Sequence, residues 1–234
     1  MQLVLPVHQQ SEFTFDNFVY GDNHALLEHI QSLVETPSSL TASARITLIQ
    51  GVLGTGKTHI LLAANHLAEQ CQISHQYLDM LSLIKMPPDM LTNIGTFDVL
   101  CIDNIDATAS SRQWQEQVFD LINQFLESGG RALIISISKR PQESEFSLPD
   151  LVSRLVWGTV FSLKELSENQ KNQAIEQHLI NRGLNVQDEA VSYLMKRAAR
   201  DMHKLMDIVD QLDKLSLQSQ RKLTIPFIKD VLKL

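Results

Sequence analysis

The chain has 234 residues, 44% of them hydrophobic and 20% charged, with a formal net charge of −7. This describes a globular protein with material for a full core, and the acidic balance argues against a large DNA-covering surface, which needs clustered Lys and Arg. Cys71 and Cys101 lie far apart in apolar contexts, which excludes a disulfide framework or zinc site and predicts two buried, inert thiols.

Residues 1–12, "MQLVLPVHQQSE", are short and polar and read as a tail. After "FTFDNFVYG" a helical pattern runs from near Asp22 to about Val34, and "TPSSLTASA" is a loop. "RITLIQ" (45–50) reads as a buried strand. It leads into "GVLGTGKT" and an apolar-periodic helix from Thr58 to about Glu69. A strand "HQYLD" follows, then a loop with Pro87 and Pro88, then the apolar strand "FDVLCID". Residues 112–127 form a predicted helix stopped by Gly129 and Gly130. "ALIISIS" and "TVFSL" (159–163) complete the strands. Apolar strands alternating with helices predict a parallel sheet covered on both faces.

From about residue 165 only helices are expected. Ser167 and Gln170 form a capping box, and that helix closes at Gly183. Helical stretches at 187–199 and 201–217 follow, and Pro226 sits near a last helix start. The expected organisation is a tail (1–12), an α/β nucleotide-binding domain (13–164) and a helical lid (165–234). No leader segment and no apolar run of about 18 residues is visible, so a cytoplasmic protein without membrane contact is expected.

"GVLGTGKT" fits the phosphate-binding pattern G-x-x-x-x-G-K-[ST] with Gly51, Gly56, Lys57 and Thr58. Its glycines let backbone N–H groups turn toward phosphate oxygens, and the following helix aims its positive end there. Gly54, Thr55 and His59 complete the candidate loop. Lys57 would reach the β- and γ-phosphates, and Thr58 would bind Mg²⁺. Asp103, ending the apolar run "VLCID", suits the magnesium-side carboxylate, although strand-end aspartates also serve as plain helix caps. The next residue is Asn104, where many such ATPases carry a second carboxylate. An amide cannot take a proton from water. Asp106 is expected to face away.

"FTFDNFVYGDNH", "GVLGTGKTH", "LCIDNID" and "LPDLVSRL", in this order, resemble the AAA+ module of the bacterial replication initiator DnaA and of the DnaA-related regulators that inactivate it. Residues 200–234 look especially like the regulators. The resemblance implies a P-loop AAA+ fold, bound ADP or ATP with Mg²⁺ on Thr58 and Asp103, and Val19 and Tyr20 along the base. A hydrophobic staple at a helix start is the alternative for Val19 and Tyr20. Ser138 would fall at a sensor position, and Arg200 and His203 near the lid sensor. A neutral imidazole replaces a guanidinium poorly, and a surface helix position is the alternative for His203.

Arg154 in "LPDLVSRL" resembles the family's arginine finger, which acts on a neighbouring subunit's ATP; a surface pair with Asp150 is the alternative. "QLVLP" resembles a sliding-clamp docking peptide, with Gln2, Leu3, Leu5 and Pro6 as contacts; a disordered tail with accidental leucines is the alternative. The implied role is a nucleotide-bound negative regulator of replication initiation with weak turnover of its own. Its partners would be DnaA and the clamp, with DNA reached mainly through the clamp and a homo-oligomer possible. A self-sufficient DNA-linked loader, a passive clamp–initiator adaptor and a small-molecule kinase are the rival classes.

Overall fold

The computed structural model describes residues 13–36, 41–181, 205, 208–209, 211–212, 215–216 and 224–232. Tail positions Gln2, Leu3, Leu5 and Pro6, the predicted stop at Gly183, the helix 187–199, Arg200 and His203 lie outside these residues.

The chain divides into two compact units: 1–18, 22–52 and 56–164, and 19–21, 53–55 and 165–234. In the first, strands β1 (Ile46–Gln50), β2 (His75–Asp79), β3 (Val99–Asp103), β4 (Ala132–Ile137) and β5 (Thr159–Ser162) form one sheet in the order β2-β3-β4-β1-β5. Every pairing is parallel. The helices are α1 (His24–Glu35), α2 (Lys57–Gln70), α3 (Met80–Leu83), α4 (Arg112–Ser128) and α5 (Pro149–Trp157).

The two-residue alternation of the strands divides the core. Val99, Cys101, Ala132, Ile134 and Ile49 pack with Ile30, Ile60, Leu61 and Ala64 of α1 and α2. Leu100, Ile102, Leu133, Ile135 and Leu48 pack with Val118, Ile122, Phe125, Leu151 and Leu155 of α4 and α5. Each such fully buried aliphatic or aromatic side chain contributes about 1.5–3 kcal/mol before the entropy of ordering it. Both faces of β3 and β4 are covered, and so their sequences read as continuous apolar runs.

The elements expected over residues 22–181 are present, with shifts at their ends. Helix α1 starts at His24 because the Asn23 side chain engages Lys164, accepting from its N–H at 2.8 Å and donating to its carbonyl at 3.2 Å. Helix α4 is capped by Ser111 and closed by Gly129 in the left-handed conformation. Helices α3 and α5 were not expected. Helix α5 is short, with Pro149 in its first turn and two buried leucines, too few for a periodic signal. Helix α3 is a single turn capped by Asp79, which accepts from the Leu81 N–H.

One cysteine expectation fails. Cys101 is buried, and burial pushes its thiol well above the usual range. Cys71 is exposed: α2 ends at Gln70, and Cys71 lies in the turn that follows, ahead of left-handed Gln72.

In the C-terminal unit, α6 (Glu168–Asn181) opens with the capping box. Ser167 N–H donates to Gln170 Oε1 at 2.9 Å, and Gln170 N–H to Ser167 Oγ at 3.4 Å. Ile175 and Leu179 of α6 and helical Leu205, Val209 and Leu212 are buried. Leu212 packs with Phe227 and Ile228 of α7 (Ile225–Leu232). All described secondary structure after Ser162 is helical. No described helix is long and apolar enough to cross a membrane.

Candidate functional site

Strand β1 delivers the chain to Gly51, and α2 begins six residues later at Lys57. Gly54 and Gly56 have φ of +82° and +95°. Gly56 excludes a side chain twice over: its backbone is left-handed, and a Cβ would lie 2.8 Å from Cε2 of Phe18. Lys57 is buried and folds back on the loop, its amine donating to the Gly51 carbonyl at 2.6 Å and the Val52 carbonyl at 2.9 Å. Burial pushes this amine below its ordinary pKa, and the carboxylates of Asp103 and Asp106 oppose that shift.

Asp103, fully buried at the end of β3, is the hub of the site. One oxygen, Oδ1, accepts from the Ser136 hydroxyl and from the Asn104 N–H at 3.1 Å. The other, Oδ2, accepts from the Thr58 hydroxyl at 2.6 Å and the Tyr77 phenol at 2.8 Å. Burial, then the neighbouring carboxylate, pushes the Tyr77 phenol far above its ordinary pKa, which keeps it a neutral donor.

Asn104 adopts the left-handed conformation (φ +56°), which Asn tolerates better than most residues. Its amide donates to Asp79 Oδ1 at 3.1 Å, bracing the end of β2. A carboxylate at 104 would meet Asp79 at that distance as a like charge, so this packing and a second carboxylate exclude each other. The charge of Asp106 raises the Lys57 pKa, against the effect of burial. Its buried Oδ1 has no hydrogen-bond partner among the described residues.

Ser138 lies just past β4, half-buried, while Ser136 inside the strand reaches Asp103. The His59 ring bonds to the Thr14 carbonyl at 2.9 Å and packs edge-on against Phe13 and Phe18, so its side chain anchors residues 13–18. Tyr20 is exposed. The cap of α1 is Asn23, so the staple position before it is Asp22; neither Val19 nor Tyr20 occupies it.

A second group of candidate residues surrounds Arg154 on α5. The Arg154 guanidinium donates to Asn123 Oδ1 of α4 at 2.7 Å and lies 5.0 Å from the Trp157 ring centroid and 5.9 Å from that of Phe119. No ion pair with Asp150 occurs among the described residues. Buried Gln115 sets the start of α5: its amide oxygen accepts from the Ser147 and Leu148 N–H groups, and its amide nitrogen donates to the Thr108 and Ala109 carbonyls.

Tyr77, Ser136, Gln115, Asn123 and Trp157 belong to none of the sequence motifs above. A lone hydroxyl within "ALIISIS" and a lone aromatic within "HQYLD" were faint signals for the first two. The others gave none.

Glycine-rich turn, helix N-terminus and buried lysine suit the phosphates of a nucleotide. Magnesium fits only in part. The Thr58 hydroxyl oxygen keeps acceptor capacity, but a carboxylate offers about four lone-pair positions, and protein donors fill them at Asp103. Among the described residues, no group of three or more His, Cys, Asp or Glu side chains is placed to hold a metal ion.

A five-stranded parallel sheet with this loop after β1, an aspartate ending β3 and a helical C-terminal unit defines a P-loop protein of the AAA+ class. Residues 9–162 match the bacterial DnaA ATPase domain, and residues 168–232 match the lid domain of Hda. The chain belongs to the bacterial DnaA ATPase-domain family and is an Hda-type, DnaA-related AAA+ protein.

An uncharacterized protein of Haemophilus influenzae is 38% identical over 233 residues, covering 100% of this chain and 99% of its own. Domain III of the Thermotoga maritima replication initiation protein DnaA superposes with a TM-score of 0.77 at 21% identity, covering 95% of this chain and 96% of that one. AMPPCP-bound DnaA from Aquifex aeolicus gives a TM-score of 0.67 at 23% identity, covering 88% of this chain and 66% of that one. These likenesses establish the fold.

Proposed function

We propose that the protein is a nucleotide-holding negative regulator of replication initiation that lends Arg154 to ATP bound by the initiator DnaA. The observation that carries this reading is the setting of Arg154: an amide and two aromatic rings hold the guanidinium, and no described carboxylate neutralises it. An always-charged planar fork held by neutral partners keeps its charge for an anion brought by another molecule. In phosphoryl transfer such a group is worth about 10³–10⁵ in rate, because it neutralises charge that develops on the transferring phosphoryl.

The P-loop is read as a holding site for ADP or ATP. Gly51, Gly54, Thr55 and Gly56 would offer backbone N–H groups, with the His59 N–H beside them, and Lys57 would exchange its bonds to the loop carbonyls for phosphate oxygens. Thr58 would offer its hydroxyl oxygen to Mg²⁺, Ser138 would stand by as a weak polar sensor, and Val19 and Tyr20 would flank the base. When bound, nucleotide supplies a phosphate charge that the loop is built to match. Asn104, committed to Asp79, cannot act as a base. The support is for retention with little turnover.

Residues 13–164 and 165–234 are read as nucleotide domain and lid, with Arg200 and His203 in the lid. Gln2, Leu3, Leu5 and Pro6 would dock the tail on the sliding clamp, raising the local concentration of Arg154 near newly replicated DNA.

The test is single-turnover hydrolysis of ATP held on DnaA, in the presence of clamp-loaded DNA, with the unmodified protein and Arg154→Ala. Acceleration by the unmodified protein alone supports the reading. Equal acceleration by both would make the protein an adaptor and sink the finger.

A further inference from the structure

Asp103 and Tyr77 sit on neighbouring strands in parallel register, with Tyr77 opposite Cys101 and Asp79 opposite Asp103. Side chains alternate along a strand, so Cys101 and Asp103 share the face that α2 covers. The Tyr77 ring packs against the hydrophobic cluster on that face. Its phenol therefore reaches forward along the sheet to Asp103 Oδ2, 2.8 Å away, from a ring fixed by packing. Thr58 takes the other position on Oδ2, and Ser136 and the Asn104 N–H fill Oδ1.

A magnesium-bound water that sought Asp103 would have to displace one of these donors. Displacing Thr58 would break the link between the P-loop and β3. Displacing Ser136 would strip a buried hydroxyl of its bond to a charged acceptor, and the Asn104 N–H, which Ser136 Oγ also accepts at 2.9 Å, would lose its longer branch to Asp103. Displacing Tyr77 would leave a largely buried phenol without its acceptor. Each exchange gives up one charge-assisted hydrogen bond to gain another, so the metal ion gains little from Asp103.

Resting on the nucleotide reading above, we infer that Tyr77 makes this site metal-sparing: its phenol occupies an acceptor position on Asp103 Oδ2 that a magnesium-bound water would need, so the protein holds a nucleoside diphosphate almost equally well with and without Mg²⁺. Lys57 and the loop N–H groups supply the attraction for phosphate in either condition. Tyr77 is here a specificity-determining residue, acting on metal dependence through Asp103.

The experiment is calorimetric titration of ADP into the full chain, with Mg²⁺ or with EDTA, for the unmodified protein and Tyr77→Phe. Phenylalanine keeps the ring and removes only the donor, leaving Oδ2 one bond short and open to a metal-bound water. The unmodified protein is expected to bind ADP with affinities that differ by less than about threefold between the two conditions. Tyr77→Phe is expected to bind at least roughly tenfold more tightly with Mg²⁺ than with EDTA, the scale of one hydrogen bond to a charged group.

A strong magnesium dependence in the unmodified protein overturns the inference, whether or not the variant folds. An unchanged ratio in a folded Tyr77→Phe protein, judged by its thermal transition, also overturns it. Both outcomes leave ADP binding itself intact. Absence of ADP binding in every condition overturns the nucleotide reading, and this inference with it.

Discussion

Two charged centres in the first unit are treated in opposite ways. At the end of β3, Asp103 has four protein donors, and Lys57 lies in the field of the Asp103 and Asp106 carboxylates, so these charges are matched before any ligand arrives. On α5, Arg154 has an amide and two aromatic faces and no described counter-ion. A matched buried network holds its geometry, and disturbing it costs stability. A guanidinium held by neutral groups is oriented but electrostatically unspent. On the function proposed above, the contrast separates a site for retention from a residue for donation.

The largest expected effect falls on the donating side. Arg154→Ala should lower the accelerated hydrolysis on DnaA by about 10³-fold or more while leaving ADP binding by this protein unchanged. A loss of ADP binding in that variant would erase the division between the two centres.

On the retaining side, Lys57→Ala should weaken ADP binding by about 10–100-fold, the scale of one hydrogen bond between charged groups. Equilibrium titration checks it. An unchanged affinity would mean that backbone N–H groups alone hold the phosphates.

Asn104→Asp addresses the network directly. It should cost about 1–3 kcal/mol by setting a carboxylate against Asp79, and it should not raise intrinsic hydrolysis. Urea unfolding, read as a shift in midpoint at constant slope, measures the first part. A gain in turnover would show that the retaining site lacks only its base.

The smallest effect is a pH response away from both centres. Half-buried His29, bonded to Thr47, has its pKa lowered by burial. The unfolded chain therefore takes up this proton first. Stability from this residue should be flat above about pH 6.5 and fall as pH drops below that value toward the lower folded pKa. His29→Gln should remove that part of the slope in pH-dependent thermal unfolding.

Much of this protein is legible without coordinates, for identifiable reasons. Strands buried on both faces must be apolar throughout, so "RITLIQ", "VLCID" and "ALIISIS" announce a covered parallel sheet. The phosphate loop is local in sequence because its chemistry is local: adjacent N–H groups, a positive-φ glycine and the next residue's lysine. The capping box of α6 is reciprocal between two near neighbours, so it too can be read directly. Helix α5 is not legible in this way, because nine residues with two buried leucines carry little periodicity. Cys71 was misplaced because apolar neighbours in sequence do not decide which way a side chain points once a helix has ended.

By itself, then, the sequence determined the five strands and helices α1, α2, α4 and α6 in their order, the loop that can cradle phosphate, and which residue bears the guanidinium. Those features depend on spacing along one chain, through strand alternation, helical period and turn chemistry. Only the tertiary structure decided that Asp103 is saturated by Ser136, Tyr77, Thr58 and the Asn104 N–H, that Asn104 braces Asp79, and that Asn123 and Trp157 hold Arg154. Each pairing joins different elements at distances set by sheet order and helix packing. A hydrogen bond depends on where two atoms stand in space, and spacing along the chain does not report that.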